Sequence, residues 1–222
     1  MNNNKNTLKC ALFDLDGVVF DTESQYSVFW GGVFRKYYPE TEGLEQKIKG
    51  QTLVQIYDGY FKDDKDKQND ITRGLDAFEQ TMDFPFIPGF ESFVADLRRH
   101  GVKTAVVTSS NRMKMQAVYR RHGQMVQLFD TILTAEDFER SKPDPDCYLK
   151  GAQRFDMQKD ECVVFEDSFN GLKSGQAAGM FVVGLATTNP ADSIRPYADV
   201  VVSDFRGMTF ESVSEMMKKV ND

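Results

Sequence analysis

Two carboxylates, Asp14 and Asp16, follow the apolar run Cys10-Ala11-Leu12-Phe13, with Gly17 directly after them. In extended backbone, residues i and i+2 share a side, so both carboxylates project past the end of a buried strand. Carboxylates this close repel, and one stays protonated unless a cation lies between them. Hard oxygen ligands beside a small cavity suit Mg²⁺, which takes one or two carboxylates together with phosphate and water. Gly17 lets the backbone turn sharply away from the strand. Three further polar clusters sit at or near the ends of expected strands: Thr108/Ser109, Lys142 and Glu166/Asp167. Together the four supply what phosphoryl transfer requires. A carboxylate can attack phosphorus. An acid can protonate the leaving oxygen and later deprotonate water. Hydroxyls, backbone N–H groups and an ammonium can hold the equatorial oxygens, and a divalent cation can screen the meeting anions. Each cluster also has a purely structural use. The aspartates could cap a turn, Thr108 or Ser109 could cap the next helix, Lys142 before Pro143 could be a solvated loop lysine, and Glu166/Asp167 could be a charge pair at a helix N-terminus.

The elements that must position these groups are legible from periodicity. Strands are expected at Lys9 to Phe13, Lys103 to Thr108, Thr131 to Thr134, Glu161 to Phe165, Phe181 to Leu185 and Asp199 to Val202. Helices between them carry Phe90, Phe93, Val94 and Leu97, then the stretch opened by Thr108-Ser109-Ser110-Asn111. Further helices are expected over Asp146 to Phe155, Phe169 to Ala178 (capped by Gly179) and Met208 to Val220. Strands alternating with ten-residue helices imply a doubly wound parallel α/β sheet, and ligands of such sheets bind outside the carboxyl ends of the strands.

Residues 22–86 have a different texture. Tyr26, Phe29, Trp30, Val33, Phe34, Tyr37 and Tyr38 recur at helical spacing, with Thr22 and Gln25 resembling a capping box and Pro39 as the stop. A second helix follows Gly50, with Thr52 and Gln55 as another box. Lys62 to Asp70 reads as a solvated turn, and a third helix carries Ile71, Leu75, Phe78 and Met82. The expected organisation is a core of 1–21 plus 87–222 with an inserted helical module of 22–86. Its aromatic residues read mostly as its own core.

The chain has 222 residues, 41% hydrophobic and 27% charged, with a net charge of −7. That balance speaks against nucleic acid as the main partner, which needs a basic patch, but leaves room for a small phosphorylated metabolite. No apolar run approaches the ~18 residues of a membrane span. Met1 to Asn6 reads as a frayed polar tail without a signal peptide behind it. Cys10, Cys147 and Cys162 are odd in number and widely spaced, which suits reduced buried thiols in a cytoplasmic protein. A monomer is expected.

Asp-Leu-Asp-Gly-Val at 14–18, Val-Thr-Ser-Ser at 107–110, Ser-Lys-Pro-Asp-Pro at 141–145 and Glu-Asp-Ser at 166–168 resemble the four ordered motifs of the haloacid dehalogenase superfamily. The helical insert resembles the small cap of its β-phosphoglucomutase-like phosphatases. The resemblance implies a Rossmann-like core, with Asp14 as nucleophile and Asp16 as general acid/base. It implies Mg²⁺ bound by the Asp14 carboxylate, the Asp16 main-chain carbonyl and Asp167, with Glu166 supporting or joining that shell. Thr108 and Lys142 would hold the transferring phosphoryl, helped by Ser109 and Asn111. The dehalogenase branch itself, which lacks an acid at the position of Asp16, does not fit.

Within the resemblance, β-phosphoglucomutases typically carry His where Tyr26 stands and Arg near Leu53, in a Gly-Val-Ser context. This chain reads Lys49-Gly50-Gln51-Thr52-Leu53 there. Both departures remove polar groups that would grip a sugar phosphate, which favours water as acceptor and hence a phosphatase, a hexose or pentose phosphate being the default substrate. Glu23, Tyr26, Gly50 and Leu53 are the expected cleft-facing cap residues, and Arg73 or Lys49 could replace the missing cation. The alternatives are a phosphosugar mutase and a non-catalytic phosphometabolite-binding protein.

Overall fold

The computed structural model describes residues 7–219. The tail expected at Met1 to Asn6, and Val220 of the last expected helix, lie outside them. Six parallel strands form one sheet in the order β3-β2-β1-β4-β5-β6: β1 Cys10–Phe13, β2 Lys103–Val107, β3 Thr131–Leu133, β4 Cys162–Glu166, β5 Phe181–Leu185 and β6 Val200–Val202. The helices are α1 Glu23–Tyr37, α2 Leu44–Lys47, α3 Leu53–Tyr60, α4 Lys65–Glu79, α5 Phe90–Arg99, α6 Arg112–Arg121, α7 Met125–Leu128, α8 Asp146–Gln153, α9 Phe169–Ala178, α10 Ala191–Ile194 and α11 Phe210–Lys219. No helix among the described residues is long and apolar enough to cross a membrane.

A continuous apolar run suits a strand covered on both faces, and β1 is fully buried along its length. Alternation sends Ala11 and Phe13 to one face and Cys10 and Leu12 to the other. Phe13 stacks on its register partner Phe165 at 4.7 Å and meets Phe90 and Phe205 at 5.5 and 6.2 Å. Losing one such ring costs about 3–5 kcal/mol. On the other face Leu12, Val107, Tyr148, Val164 and Leu172 pack together. All three cysteines are buried free thiols.

Chain order reverses at β1, which has β2 on one side and β4 on the other. Such a switch point opens a crevice at the strands' carboxyl ends. Asp14 follows β1, Thr108 follows β2 and Glu166 ends β4, so three of the four polar clusters converge there.

Helices α1–α4 fill the interval between Thr22 and Phe86, around their own cluster of Trp30, Phe34, Leu44, Ile48, Ile56, Phe61 and Ile71. The segments entering and leaving this interval run side by side. Phe20 bridges Phe86, the Asp21 N–H donates to the Pro85 carbonyl at 2.8 Å, and the Ile87 N–H donates to the Val19 carbonyl at 3.0 Å.

Local readings differ in four places. Thr52 and Gln55 form their capping box, but Thr22 and Gln25 do not. The Thr22 hydroxyl is drawn to Asp16 and the Gln25 side chain to Asp83. The expected solvated turn over Lys62 to Asp70 is mostly helix, because Asp64 caps α4 at the Lys67 N–H and Gln68 buries its amide against the Phe61 carbonyl. Met82 lies past the end of that helix, although its side chain is buried. The short α2 has too few turns to show a period.

Candidate active site

Lys142 is the hub of the site. It enters from the loop after β3 and is buried, not solvated, with 6% of its surface exposed. Its ammonium donates to Asp14 Oδ1 at 2.6 Å, to Glu166 Oε1 at 2.6 Å and to the Val107 carbonyl at 3.0 Å. Burial alone would lower its pKa, and the Asp14 and Glu166 carboxylates override that and hold it well above the usual lysine value. Burial pushes the Asp14 carboxyl up to about 7, with Lys142 pulling against it and Glu166 and Asp16 adding to it.

Glu166 is fully buried and spends both oxygens. Oε1 accepts from Lys142 and from the Tyr148 hydroxyl at 2.9 Å, while Oε2 accepts from the N–H groups of Asp167 and Ser168 and from the Ser168 hydroxyl. Capping of α9 falls to Ser168. Asp167 differs. Its Oδ2 accepts from the Thr188 hydroxyl, but its Oδ1 is buried with no hydrogen-bond partner. Burial and the neighbouring Glu166 and Asp14 raise its pKa well above the carboxylate range. Gly17, at φ +74°, leaves room here: a Cβ on it would lie 2.0 Å from Asp167 Oδ2.

Ligand atoms of Asp14, Glu166 and Asp167 lie within 4.8 Å of one another. Three clustered carboxylates, two of them on the Lys142 ammonium and the third with one buried oxygen orphaned, form a donor set that fits a divalent cation on oxygen ligands. The residues expected to hold Mg²⁺ therefore fit it.

Asp16 lines the same cavity as Asp14. Its Oδ1 accepts from the Thr22 hydroxyl at 2.6 Å, and its Oδ2 accepts from the Ser110 hydroxyl at 3.2 Å and from the Lys114 ammonium. Thr108 is buried and uses its hydroxyl oxygen to accept the Ser110 N–H, which fixes the turn after β2. The helix cap expected of Thr108 or Ser109 is supplied instead by Asn111, whose side-chain oxygen accepts the Lys114 N–H. Ser109 is exposed at the cleft.

A cavity of about 610 Å³ lies between these strand ends and α1–α4. Glu23, Tyr26, Gly50, Leu53 and Lys49 all line it, as do Ser109 and Asn111. Glu23 is half-buried, and burial followed by the nearby Asp16 charge pushes its carboxyl up to about 7. The Tyr26 hydroxyl donates to Glu79 at 2.7 Å. The Gly50 carbonyl accepts from Asn170, which also donates to Gln55. Arg73 is not among the lining residues. It is largely exposed and pairs with Asp70 on its own helix, so it supplies no cleft cation.

Ser110, Lys114, Thr188 and Asn170 were not singled out by sequence. Lys114 had one signal. The first turn of a helix favours anions, and α6 has no acid there but a lysine, which calls for a carboxylate nearby.

A parallel switch-point sheet carrying a buried Asp–Lys–Glu cluster at its strand ends, roofed by a helical insert, defines a hydrolase of the haloacid dehalogenase type. The sequence model described as "Haloacid dehalogenase-like hydrolase" matches residues 11–185, and the chain belongs to that family. It is 32% identical to hexitol phosphatase A of Escherichia coli (strain K12), over 84% of this chain and 86% of that one. It is 28% identical to validoxylamine A 7'-phosphate phosphatase of Streptomyces hygroscopicus subsp. limoneus, over 88% and 93%. A solved β-phosphoglucomutase from Clostridium difficile superposes with a TM-score of 0.78 over 96% of this chain and 98% of that one, at 19% identity, a likeness of fold.

Proposed function

We propose that this chain is a Mg²⁺-dependent phosphatase that hydrolyses a small phosphate monoester, a sugar or polyol phosphate, through an aspartyl-phosphate on Asp14. The observation that carries this reading is the Lys142 ammonium bridging Asp14 and Glu166 beside the orphaned Asp167 oxygen, with Asp16 lining the same cavity. Lys142 holds one Asp14 oxygen, which fixes the carboxylate while its other oxygen attacks phosphorus. The P–O bond to the leaving group breaks, and Asp16 delivers a proton to the departing oxygen. Water then attacks the aspartyl-phosphate, Asp16 takes its proton, and Asp14 is released with phosphate. The proton Asp16 gives to the leaving oxygen is balanced by the one it takes from water in the second half-reaction; in this structure both its oxygens accept hydrogen bonds, the arrangement of the acceptor half. Thr108 and Lys142 hold the transferring group, with Ser109 and Asn111 at its edge. Asp14, Asp167, the Asp16 main-chain carbonyl and Glu166 would hold Mg²⁺, which when bound supplies neutralisation of the meeting anions.

Residues 22–86 act in this reading as a cap over the strand ends, with residues 1–21 plus 87–222 as the core. The cap face supports water as acceptor. Tyr26 is committed to Glu79, Leu53 is apolar and Arg73 is turned away, which leaves Lys49 as the one expected cap cation that lines the cavity for a second phosphate. Similarity to a hexitol phosphatase and to a validoxylamine A 7'-phosphate phosphatase supports a small phosphate monoester as substrate.

The test is phosphate release from p-nitrophenyl phosphate with Mg²⁺, followed by a panel of hexitol, hexose and pentose phosphates ranked by kcat/KM. No release from any ester would leave a non-catalytic binding protein. β-Glucose 1-phosphate with a trace of glucose 1,6-bisphosphate separates the mutase: glucose 6-phosphate appearing faster than free phosphate would overturn the phosphatase reading.

A further inference from the structure

Lys114 is buried, with 3% exposed, on the first turn of a helix whose neighbouring residues Asn111, Arg112 and Met113 are exposed. Lysines are almost never fully buried unless paired. Helical side chains lean toward the helix N-terminus, and the Asn111 cap fixes that turn, so the Lys114 side chain reaches back to the strand ends. There its ammonium meets Asp16 Oδ2. On its other side it lies 4.8 Å from the centroid of the Tyr26 ring on α1. The Tyr26 hydroxyl donates to Glu79, at the end of α4, and Glu79 is itself buried. One unbroken line therefore runs from Asp16 on the core through Lys114 to the two longest helices of the insert.

Resting on the phosphatase reading for its chemical consequence, we propose that Lys114 is a positioning residue that ties the orientation of Asp16 to the closed position of the cap. The ammonium gains its aromatic face only while Tyr26 is over it, and cation–π contacts strengthen when desolvated. With the cap lifted, Tyr26 and Glu79 leave together and Lys114 keeps only its core contacts. Asp16 is then held less firmly until the cleft closes on an ester. Lys114 touches neither phosphorus nor the leaving oxygen in this scheme. Its effect reaches the reaction through Asp16 alone.

Two measurements test this on the full chain. The first needs no activity. In metal-free protein, Lys114→Met should speed amide exchange about tenfold in the starts of α1 and the end of α4 while β1 and β4 stay unchanged. Exchange equal to wild type in those segments overturns the proposal. The second measures kcat/KM, which covers the steps up to the aspartyl-phosphate, for 2,4-dinitrophenyl, p-nitrophenyl and phenyl phosphate with Mg²⁺. Proton delivery matters most for the most basic leaving group. Lys114→Met should therefore lose about tenfold more on phenyl than on 2,4-dinitrophenyl phosphate. An equal loss on all three, the mark of a merely structural residue, also overturns it. Tyr26→Leu, which keeps the lysine, should move both readouts the same way and serves if Lys114→Met does not fold. If wild type hydrolyses none of these esters, the phosphatase reading has failed, and the exchange measurement alone decides the link.

Discussion

The floor and the roof of the cleft are built differently. On the floor, Lys142, Glu166 and Asp14 are interlocked at 2.6 Å, and the Glu166 oxygens are both spent on internal donors. The roof is looser. Glu23 and Lys49 face the cavity and Leu53 is apolar, while Tyr26, Glu79, Thr72 and the 50–55 turn are tied down. A floor fixed by register between β1, β2 and β4 has little freedom to change its chemistry. A roof carried on helices outside the sheet can change its lining without disturbing that register. In the proposed reading the bond broken is a property of the floor, and the choice of ester a property of the roof.

Substitution of the floor should therefore abolish turnover, and the largest effect belongs to Asp14→Asn. Its shape is nearly conserved while an amide cannot attack phosphorus, so kcat should fall about 10³-fold or more with an unchanged melting temperature. Activity above a few per cent would move the nucleophile elsewhere. Chelation comes next. EDTA should remove activity about 10²-fold or more and Mg²⁺ should restore it, whereas Ca²⁺, with looser and higher coordination, should not. Full activity in chelator would break the assignment of the orphaned Asp167 oxygen to a cation.

Lys142→Met tests how far the floor is held together by charge. Removing one partner of a buried pair costs about 3–5 kcal/mol, so urea unfolding of the metal-free variant should show a loss of that order, partly recovered by Mg²⁺. On the roof the sign reverses. The Glu23 carboxyl is raised from 4.5 to about 7 by burial. Its neutral form contributes stability that is complete below about pH 4.5 and is lost as pH rises through about 7. In metal-free protein, Glu23→Gln should match wild type below that range and exceed it at pH 8 by on the order of 1 kcal/mol, allowing for solvent screening of a half-buried group. Thermal melts at the two pH values check this, and an equal difference at both would break it. The smallest effect is Leu53→Ala, which should change the ranking of esters by KM about threefold to tenfold with kcat nearly constant. A large fall in kcat for every ester would erase the division between floor and roof.

Most of the floor was readable because Asp14, Thr108 and Glu166 stand at the ends of apolar runs, whereas Lys142 sits in the loop after β3 and only the fold brings it to them. A strand buried on both faces announces itself, and the first polar residue after it has nowhere to go but the sheet edge. The roof was less readable. Thr22 and Thr52 both precede a helix with Gln three residues on, yet only Thr52 caps, because Asp16 competes for the Thr22 hydroxyl. Lys62 to Asp70 is charged enough to read as a turn, but a capping aspartate and one buried glutamine amide make it helical. Lys114 looks like a surface lysine, since the groups that bury it, Asp16, Tyr26 and Glu79, are brought to it by the fold.

Gly50, at φ +72°, sits where the insert meets the first residues after β4, and a Cβ there would lie 2.9 Å from the Ser168 Cβ. That seam works like a door closing flush on its frame. Any side chain at position 50 would act as a doorstop, holding the two edges apart and leaving Asn170 short of its contact with the Gly50 carbonyl. In the proposed reading the width of the residual gap would bear on how esters and phosphate pass, although position 50 takes no part in breaking a bond.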